Sequence, residues 1–238
     1  MEDYNKDKDS YTFEELRTIV EKLRAKDGCP WDREQTHKSL KRYMIEEAYE
    51  VVDAIDTYES IGSDENLCEE LGDVLLQVML HAQIASEENR FNVDTVIKGI
   101  SEKMIRRHPH VFGTQNATSQ HGGFPTWDEI KKQEKEGKDM QLSELEAVPK
   151  SFPALIRSEK VLKKAQKSYG QDSDFDENID HIISVVSGMD EKVEGKVADR
   201  IIGDLLLTVV KLASALNVNS EEALTDAIDQ YINEVMDK

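Results

Sequence analysis

Five carboxylates lie in two neighbouring segments of the chain, at spacings that a helix brings to one face. Glu46, Glu47 and Glu50 fall in the first segment, and Glu70 and Asp73 fall in the second. Residues three and four apart are neighbours on a helix surface. Oxygen ligands without His or Cys suit a hard divalent cation, Mg²⁺ first and Mn²⁺ as a substitute. The plain alternative is a solvated acidic face, which is common in a Glu-rich chain.

The segment that carries Glu70 and Asp73 is apolar around most of its circumference. When residues 67–85 are wound at about 100° per residue, apolar side chains cover roughly three quarters of the helix. The polar remainder is one stripe within about 80° of arc, formed by Glu70, Asp73, Gln77 and His81. Such a helix belongs inside a core or an interface. Carboxylates shielded there must be protonated, paired or bound to a metal.

The preceding helix offers no basic stripe that could pair with these carboxylates. Glu47 and Glu50 border its apolar arc, and a short connection makes the two helices antiparallel neighbours. The carboxylates of both helices can then face one another across the pair. We therefore predict four metal ligands: Glu47, Glu50, Glu70 and Asp73. Glu46 points away from this contact, and His81 could equally form a hydrogen bond inside the core. Whether either residue is a further metal ligand stays open.

The elements that must position these residues are all predicted to be helices. Thr12 and Glu15 form a capping box that opens the first helix. Hydrophobic periodicity predicts the remaining elements, and the expected helices span about 12–26, 36–58, 64–88, 92–107, 126–138, 153–167, 176–187, 193–216 and 220–236. Loops are expected at about 26–35 and 108–125. No segment shows the alternation of a β-strand, so the predicted fold class is all-α.

An internal repeat indicates a tandem pair of related helical domains. The segment beginning Gly72-Asp73 reappears at Gly203-Asp204, an offset of 131 residues. We expect a catalytic domain over 1–138, a linker over 139–152 and a second helical-bundle domain over 153–238.

The second copy has lost most of the carboxylates. Ile201 stands in the place of Glu70, although Asp204 keeps the place of Asp73. Upstream, once a small insertion or deletion is allowed, three other residues replace the glutamates: His181, Ile182 and Val185. Because one carboxylate cannot hold Mg²⁺ usefully, the second domain is predicted to be a degenerate scaffold or dimerisation module.

The charge, hydropathy and cysteine content of the chain argue against nucleic-acid and membrane partners. The chain has 49 acidic and 30 basic residues, a formal net charge of −19, which argues against binding a nucleic-acid polymer. No apolar run approaches the length of a membrane span, and the first residues lack the basic start and apolar run expected of a signal peptide. Cys29 and Cys68 are too few to staple a chain of this size. We expect a cytoplasmic protein without a membrane partner.

Basic and aromatic residues outside the carboxylate segments could hold an anionic ligand. Lys103, Arg106 and Arg107 cluster at the end of one helix, where they could bind phosphates or merely offset the helix dipole. Lys131, with Lys135 one turn later, could close over the same phosphates. The two tryptophans, Trp31 and Trp127, could stack on a base or simply anchor loops.

Several motifs together resemble those of one enzyme family. EEAYE (46–50) followed by EELGD (69–73) resembles the E-E-x-x-E…E-x-x-D signature of MazG-like nucleoside triphosphate pyrophosphohydrolases. DGCPWDREQTHKSL (27–40), RRHPHVF (106–112) and TWDEIKKQEK (126–135) match as well. PALIRSEKVLKKAQK (153–167) looks like the opening of that family's second domain, so the resemblance covers essentially the whole chain.

The resemblance implies a homodimeric enzyme that cleaves nucleoside triphosphates to the monophosphate and pyrophosphate with Mg²⁺. The family's metal ligands correspond to the four residues predicted above, and Glu46 belongs to the same motif. Glu46 or Glu50 is expected to accept the proton of the attacking water. Lys103 and Arg107 are expected to stabilise the departing pyrophosphate. The alternative is a catalytically weak nucleotide-binding or regulatory module, and the preferred nucleotide stays open.

Overall fold

The computed structural model describes residues 8–112, 144–171 and 173–237. Every regular element in these ranges is a helix and no strand is present in them, which confirms the all-α prediction. The chain divides into two compact units, residues 1–136 and 137–238. Each unit is described by itself. No single helix in these ranges is long and apolar enough to cross a membrane; only two late helices taken together across a 108° bend meet the length and composition criteria.

The first unit contains six described helices. They are α1 (Phe13–Arg24), α2 (Pro30–Glu34), α3 (Lys41–Ile61), α4 (Glu65–Glu87), α5 (Val93–Arg107) and α6 (Pro109–Phe112). The predicted capping box opens α1, because the Glu15 backbone N–H donates to Thr12 Oγ1 at 3.3 Å and Glu15 accepts from the Thr12 backbone. α3 ends at Gly62, whose φ of +73° is a left-handed conformation that favours glycine.

Three boundaries differ from the sequence prediction. The helix expected from residue 36 begins at Lys41, because Thr36 and Ser39 cap one another in a turn: each hydroxyl accepts from the other's backbone N–H. The predicted loop 26–35 contains α2, whose first residue is proline, a residue suited to that position. The predicted loop 108–125 begins with the short helix α6. Short helices carry too few residues to show a periodicity.

The hydrophobic core of the first unit lies under the second half of α4. Met79, Leu80, Ala82 and Ile84 of this helix are buried, and they belong to one cluster completed by residues of the neighbouring elements: Val20, Leu40 and Val93. The first half of α4 is not covered, since Leu71 is 52% exposed. Burial of α4 is therefore graded along its length in the single chain, whereas the sequence predicted that the whole helix lies inside a core or an interface.

A buried arginine ties the segment before α3 to the end of α4. Arg24 donates to both carboxylate oxygens of Glu87, at 2.9 and 2.8 Å, and also to the backbone carbonyls of Asp32 and Gln35. This hydrogen bonding lowers the pKa of Glu87 from its ordinary value, although burial opposes it. Gly28 allows the tight turn nearby, because a Cβ there would lie 2.2 Å from the backbone oxygen of Lys22. The start of α3 is thereby fixed beside α4.

The second unit contains four described helices. They are α7 (Ala154–Tyr169), α8 (Phe175–Ser187), α9 (Gly195–Ala215) and α10 (Ser220–Met236). α9 packs most extensively against α8, as α4 does against α3 in the first unit. Gly203-Asp204 lies on α9 as Gly72-Asp73 lies on α4. The contacts of the two units thus agree with the internal repeat; the predicted domain boundaries at 138 and 153, and the roles of the domains, stay predictions.

Candidate metal centre

Three carboxylates from α3 and α4 converge on one point. One oxygen each from Glu47, Glu70 and Asp73 lies within 4.8 Å of the other two, and all three residues are half-buried. α3 supplies Glu47, and one face of α4 supplies the other two, three residues apart. In the part of the chain that the structure describes, this is the only cluster of three or more potential His, Cys or carboxylate ligands.

Glu50, the fourth predicted ligand, lies at the edge of this cluster. Its side chain is exposed, and its oxygens are not among those within 4.8 Å of one another. It nevertheless lies close enough to raise the pKa of Glu47, and its charge also raises the pKa of Glu70. The assignment of Glu50 as the fourth ligand stays a prediction.

Crowding makes negative charge unfavourable at the cluster. Burial raises the pKa of Glu47, and the charges of Asp73 and Glu50 raise it further, while a hydrogen bond from Gln77 opposes them. Burial also raises the pKa of Glu70, followed by the charges of Glu50 and Asp73. Both carboxyl groups are therefore harder to ionise than an exposed glutamate. A bound cation would reverse this effect.

The oxygen positions fit a small divalent cation. An octahedral Mg²⁺ with ligands at about 2.1 Å places adjacent oxygens about 3 Å apart and opposite oxygens about 4.2 Å apart. The oxygens of Glu47, Glu70 and Asp73 lie within 4.8 Å of one another, which is of the same order as these ligand separations. The donor set contains only carboxylate oxygens, which is the preference of Mg²⁺ and Mn²⁺. The residues present therefore fit the predicted metal.

Glu46 lies apart from the three converging oxygens. Its side chain is exposed, and its charge acts on Arg42, one turn earlier on α3. Arg42 itself donates to the Tyr43 hydroxyl at 2.6 Å, and this hydrogen bond is the largest cause of its raised pKa. The catalytic role of Glu46 stays a prediction, as it was left open by the sequence.

Gln77 is a site residue that the sequence did not single out. It lies one turn beyond Asp73 on α4, is only 6% exposed, and its Nε2 donates to Glu47 Oε1 at 3.4 Å. The polar stripe of α4 already contained Gln77. Its contact with Glu47 depends on the register of α3 against α4, which spacing alone does not give.

His81, the last member of the stripe, pairs with a second histidine. Its Nδ1 lies 2.8 Å from Nδ1 of His37 in the turn before α3, and Arg90 donates to His37 Nε2 at 2.5 Å. Because an arginine can only donate, His37 Nε2 accepts, so Nδ1 of His37 carries the proton and donates to His81. Burial, and then His37, lower the pKa of His81. This pairing agrees with the core alternative for His81 rather than with a metal ligand.

The predicted substrate residues lie on α5, on α2 and outside the described residues. Lys103 and Arg106 are exposed and Arg107 is half-buried in the second half of α5, which packs against α4 through its first turn, where Val93 is buried. Trp31 is 52% exposed on α2 and contacts Tyr43 edge-on, with ring centroids 6.0 Å apart. Three residues lie outside the described residues: Trp127, Lys131 and Lys135. All of these substrate contacts stay predictions.

The corresponding position of the second unit has a different arrangement. His181 Nε2 lies 2.6 Å from Asp204 Oδ2, and both side chains are about half exposed. Thr208, at the position of Gln77, donates to the Asp204 backbone oxygen at 2.9 Å. Where the first unit gathers carboxylates, the second thus pairs one carboxylate with a histidine. That this domain is degenerate stays a prediction.

Comparison with known proteins identifies the family. Residues 35–112 match the MazG nucleotide pyrophosphohydrolase domain. The chain is 40% identical over 221 residues to the nucleoside triphosphate pyrophosphohydrolase/pyrophosphatase MazG of Thermotoga maritima, covering 92% of this chain and 82% of that protein. It is 35% identical over 225 residues to the nucleoside triphosphate pyrophosphohydrolase of Escherichia coli, covering 92% and 84%.

A match to part of a larger protein also exists. YabN of Bacillus subtilis is 50% identical over 153 residues, which is 64% of this chain but only 30% of that protein. The long matches to the Thermotoga and Escherichia proteins carry the assignment: the chain belongs to the MazG family of nucleotide pyrophosphohydrolases. The family resemblance and the class of enzyme, a nucleoside triphosphate pyrophosphohydrolase, are thereby confirmed.

Proposed function

We propose that this chain hydrolyses nucleoside triphosphates at the α–β phosphoanhydride, giving a nucleoside monophosphate and pyrophosphate, with Mg²⁺ held between α3 and α4. The observation that carries the proposal is the convergence of Glu47, Glu70 and Asp73 oxygens within 4.8 Å. Half-buried carboxylates this close repel one another, so the arrangement costs stability unless it serves a cation. Family membership supplies the class of reaction.

Each ligand has a distinct place in this proposal. Glu70 and Asp73 face Glu47 from the same side of α4, and Glu50 joins from the edge of the cluster. The bound ion supplies Lewis-acid stabilisation of charge that develops on phosphate oxygens. Mn²⁺ is expected to substitute for Mg²⁺, because both prefer oxygen ligands in octahedral geometry.

A proton acceptor for the attacking water must lie beside the cluster. Glu50 is the stronger candidate on position, because it is exposed to solvent and its charge acts on both Glu47 and Glu70. Glu46 is the second candidate: its charge acts on Arg42 and is not among the causes that raise the pKa of Glu47 or Glu70. Replacing each with Gln separates them: the general base is the residue whose replacement lowers kcat even at saturating Mg²⁺, where weaker metal binding by the variant no longer limits turnover.

Cations and aromatics are proposed to hold the substrate. Lys103, Arg106 and Arg107 would bind the phosphates that leave as pyrophosphate, with arginine suited to bidentate contacts. Trp31, half exposed on α2, would stack on the base. Trp127 and Lys131 are proposed from the sequence alone, and so is a cytoplasmic location.

We propose a homodimer formed through the outer face of α3. Ile45, Tyr49 and Val52 follow one another at helical spacing on this face, and each is 45–53% exposed. Leu71 on α4 is exposed to a similar degree. A second copy would cover these apolar side chains, which are unusual together on a monomer surface. Light scattering on the wild-type protein and on Tyr49→Glu protein tests this: the variant should have half the mass.

Pyrophosphate release from a panel of ordinary, deoxy and modified triphosphates tests the proposed function. Activity is expected with Mg²⁺ and with Mn²⁺, and none is expected in excess EDTA. Nucleotide binding without any turnover across the panel would instead favour the alternative of a regulatory module. The panel also identifies the preferred nucleotide, which neither the sequence nor the cluster determines.

A further inference from the structure

The carbonyl oxygen of Gln77 is a buried acceptor without a hydrogen-bond partner among the described residues. The residue is 6% exposed, and its Nε2 donates to Glu47 at 3.4 Å. Buried side-chain amides normally satisfy both ends, and an unpaired buried acceptor destabilises a fold. An apolar residue at this position of α4 would avoid that destabilisation, so the amide needs another explanation.

The orientation of the amide follows from the chemistry of its neighbour. An ionised carboxylate can only accept hydrogen bonds, so Nε2 of Gln77 must face Glu47. Oε1 then points away from the one hydrogen bond that the side chain makes. The N–H group of the amide thus holds one carboxylate oxygen of the cluster, while its carbonyl oxygen stays without a partner among the described residues.

We infer that Gln77 is a positioning residue for the metal centre, whose N–H holds the Glu47 carboxylate in the orientation that meets Glu70 and Asp73. The inference rests on the metal site proposed above. Partners of this kind fix the direction of a ligand, and their loss typically weakens metal binding about 10–100-fold. Gln77 suits this role because it lies on α4 with two of the ligands and contacts the ligand that comes from α3.

The second unit provides an internal comparison. Thr208 occupies the position of Gln77 there and is 2% exposed, yet its hydroxyl donates to the backbone oxygen of Asp204 on its own helix. Ile201 replaces Glu70 in that unit, so the carboxylate cluster is missing. Thr208, beside no such cluster, thus forms its hydrogen bond within its own helix. Gln77, beside the carboxylate cluster, forms its hydrogen bond with a side chain of the facing helix.

Gln77→Met tests the inference, because methionine keeps the length of the side chain and removes the amide. Two quantities are measured on the full chain without nucleotide: the affinity for Mn²⁺ by calorimetry, and the thermal midpoint of unfolding in EDTA. We expect Mn²⁺ affinity to fall about 10–100-fold. The midpoint in EDTA should be unchanged or higher, because an unpaired buried acceptor has been removed. Opposite effects on metal affinity and stability are the signature of a positioning role.

Thr208→Val is the matched control, since it removes a buried polar group from the equivalent stripe. Its Mn²⁺ affinity should equal that of the wild-type protein. Gln77→Leu provides a second apolar variant in case the methionine variant does not fold, and it should behave in the same way. Gln77→Glu should also bind Mn²⁺ more weakly, because a carboxylate cannot donate to ionised Glu47.

The outcomes separate this inference from the proposed function. Wild-type protein that does not bind Mn²⁺ contradicts the metal site itself, and the role of Gln77 with it. If wild-type protein binds Mn²⁺ and Gln77→Met binds it equally well, only the positioning role is overturned. A parallel loss of affinity and of the EDTA midpoint in both apolar variants shows a structural role and overturns the inference as well.

Discussion

Replacing Glu47 with Gln should make the metal-free protein more stable and the Mg²⁺-bound protein less stable than wild type. The variant removes one charge from three carboxylates whose oxygens lie within 4.8 Å of one another and keeps the size of the side chain. The pKa of Glu47 is raised, first by burial and then by the nearby charges of Asp73 and Glu50, which shows that its negative charge is unfavourable there.

The magnitude can be bounded from the separation of one oxygen each of Glu47 and Asp73, which is at most 4.8 Å. Two unit charges at about 4.8 Å repel by about 1 kcal/mol at the dielectric constant of water, and by more where they are partly buried. Relief of about 1 kcal/mol raises the melting temperature of a unit the size of the first one, residues 1–136, by roughly 3–5 °C. The variant should therefore melt several degrees above wild type in EDTA.

Mg²⁺ should reverse this order. A ligand that binds only the folded state at a hundredfold excess over its Kd stabilises by about 2.7 kcal/mol. Wild-type protein should gain this stabilisation, and the variant should gain much less because it has lost a charged ligand. Differential scanning calorimetry in EDTA and in Mg²⁺ should therefore show the two melting temperatures exchanging order. Glu59→Gln, an exposed position at the end of α3, is the control and should melt with wild type in both conditions. A Glu47→Gln protein that melts below wild type in EDTA would refute the reasoning.

Three further predictions concern turnover and pH. Asp73→Ala should lower kcat at least 100-fold with the helical circular dichroism spectrum unchanged; retained activity in a folded variant contradicts the ligand assignment. Asp204→Asn should keep full activity and lose less than about 1 kcal/mol of stability, because its partner His181 is half exposed; a large loss of activity in folded protein would give the second unit a catalytic role. Because burial and His37 lower the pKa of His81 below its ordinary 6.5, the unfolded chain binds the proton more readily. Stability from this source is present above pH 6.5 and is lost as the pH falls, so His81→Gln protein should show a smaller drop in melting temperature between pH 7 and about pH 5.

The all-α architecture and the placement of the carboxylates were predictable from the sequence because both depend on local periodicity. Glu70 and Asp73 are three residues apart, which puts them on one face of any helix. The short connection at Gly62 then brings α3 back against α4, so Glu47 meets them. The convergence of three of the four predicted ligands needed no more than helix geometry and this turn; that they bind a metal stays a prediction.

The exposure of the cluster was not predictable, because it depends on what covers α4. The apolar pattern of residues 67–85 indicated burial throughout, but only the second half packs on the core around Leu80. Leu71 remains exposed beside the cluster, on a part of the surface that the proposed dimer would cover. A single sequence pattern does not distinguish burial within one chain from burial between two.

Two contacts at the site depend on distant segments and left no signal in the spacing. Gln77 meets Glu47 only through the register of two antiparallel helices. His37 meets His81 from a segment that Arg24 holds beside α4, through its hydrogen bonds to Gln35 and Glu87. Both contacts join residues at least 30 positions apart, where side-chain periodicity carries no information.

The most direct test of the central claim is the identity of the products. ³¹P NMR of wild-type protein with a nucleoside triphosphate and Mg²⁺ should show equal amounts of nucleoside monophosphate and pyrophosphate. Neither product should form in EDTA or with folded Asp73→Asn protein. Formation of a nucleoside diphosphate and inorganic phosphate, or undiminished turnover by Asp73→Asn, would contradict the proposal that the α3–α4 carboxylates direct cleavage to the α–β bond.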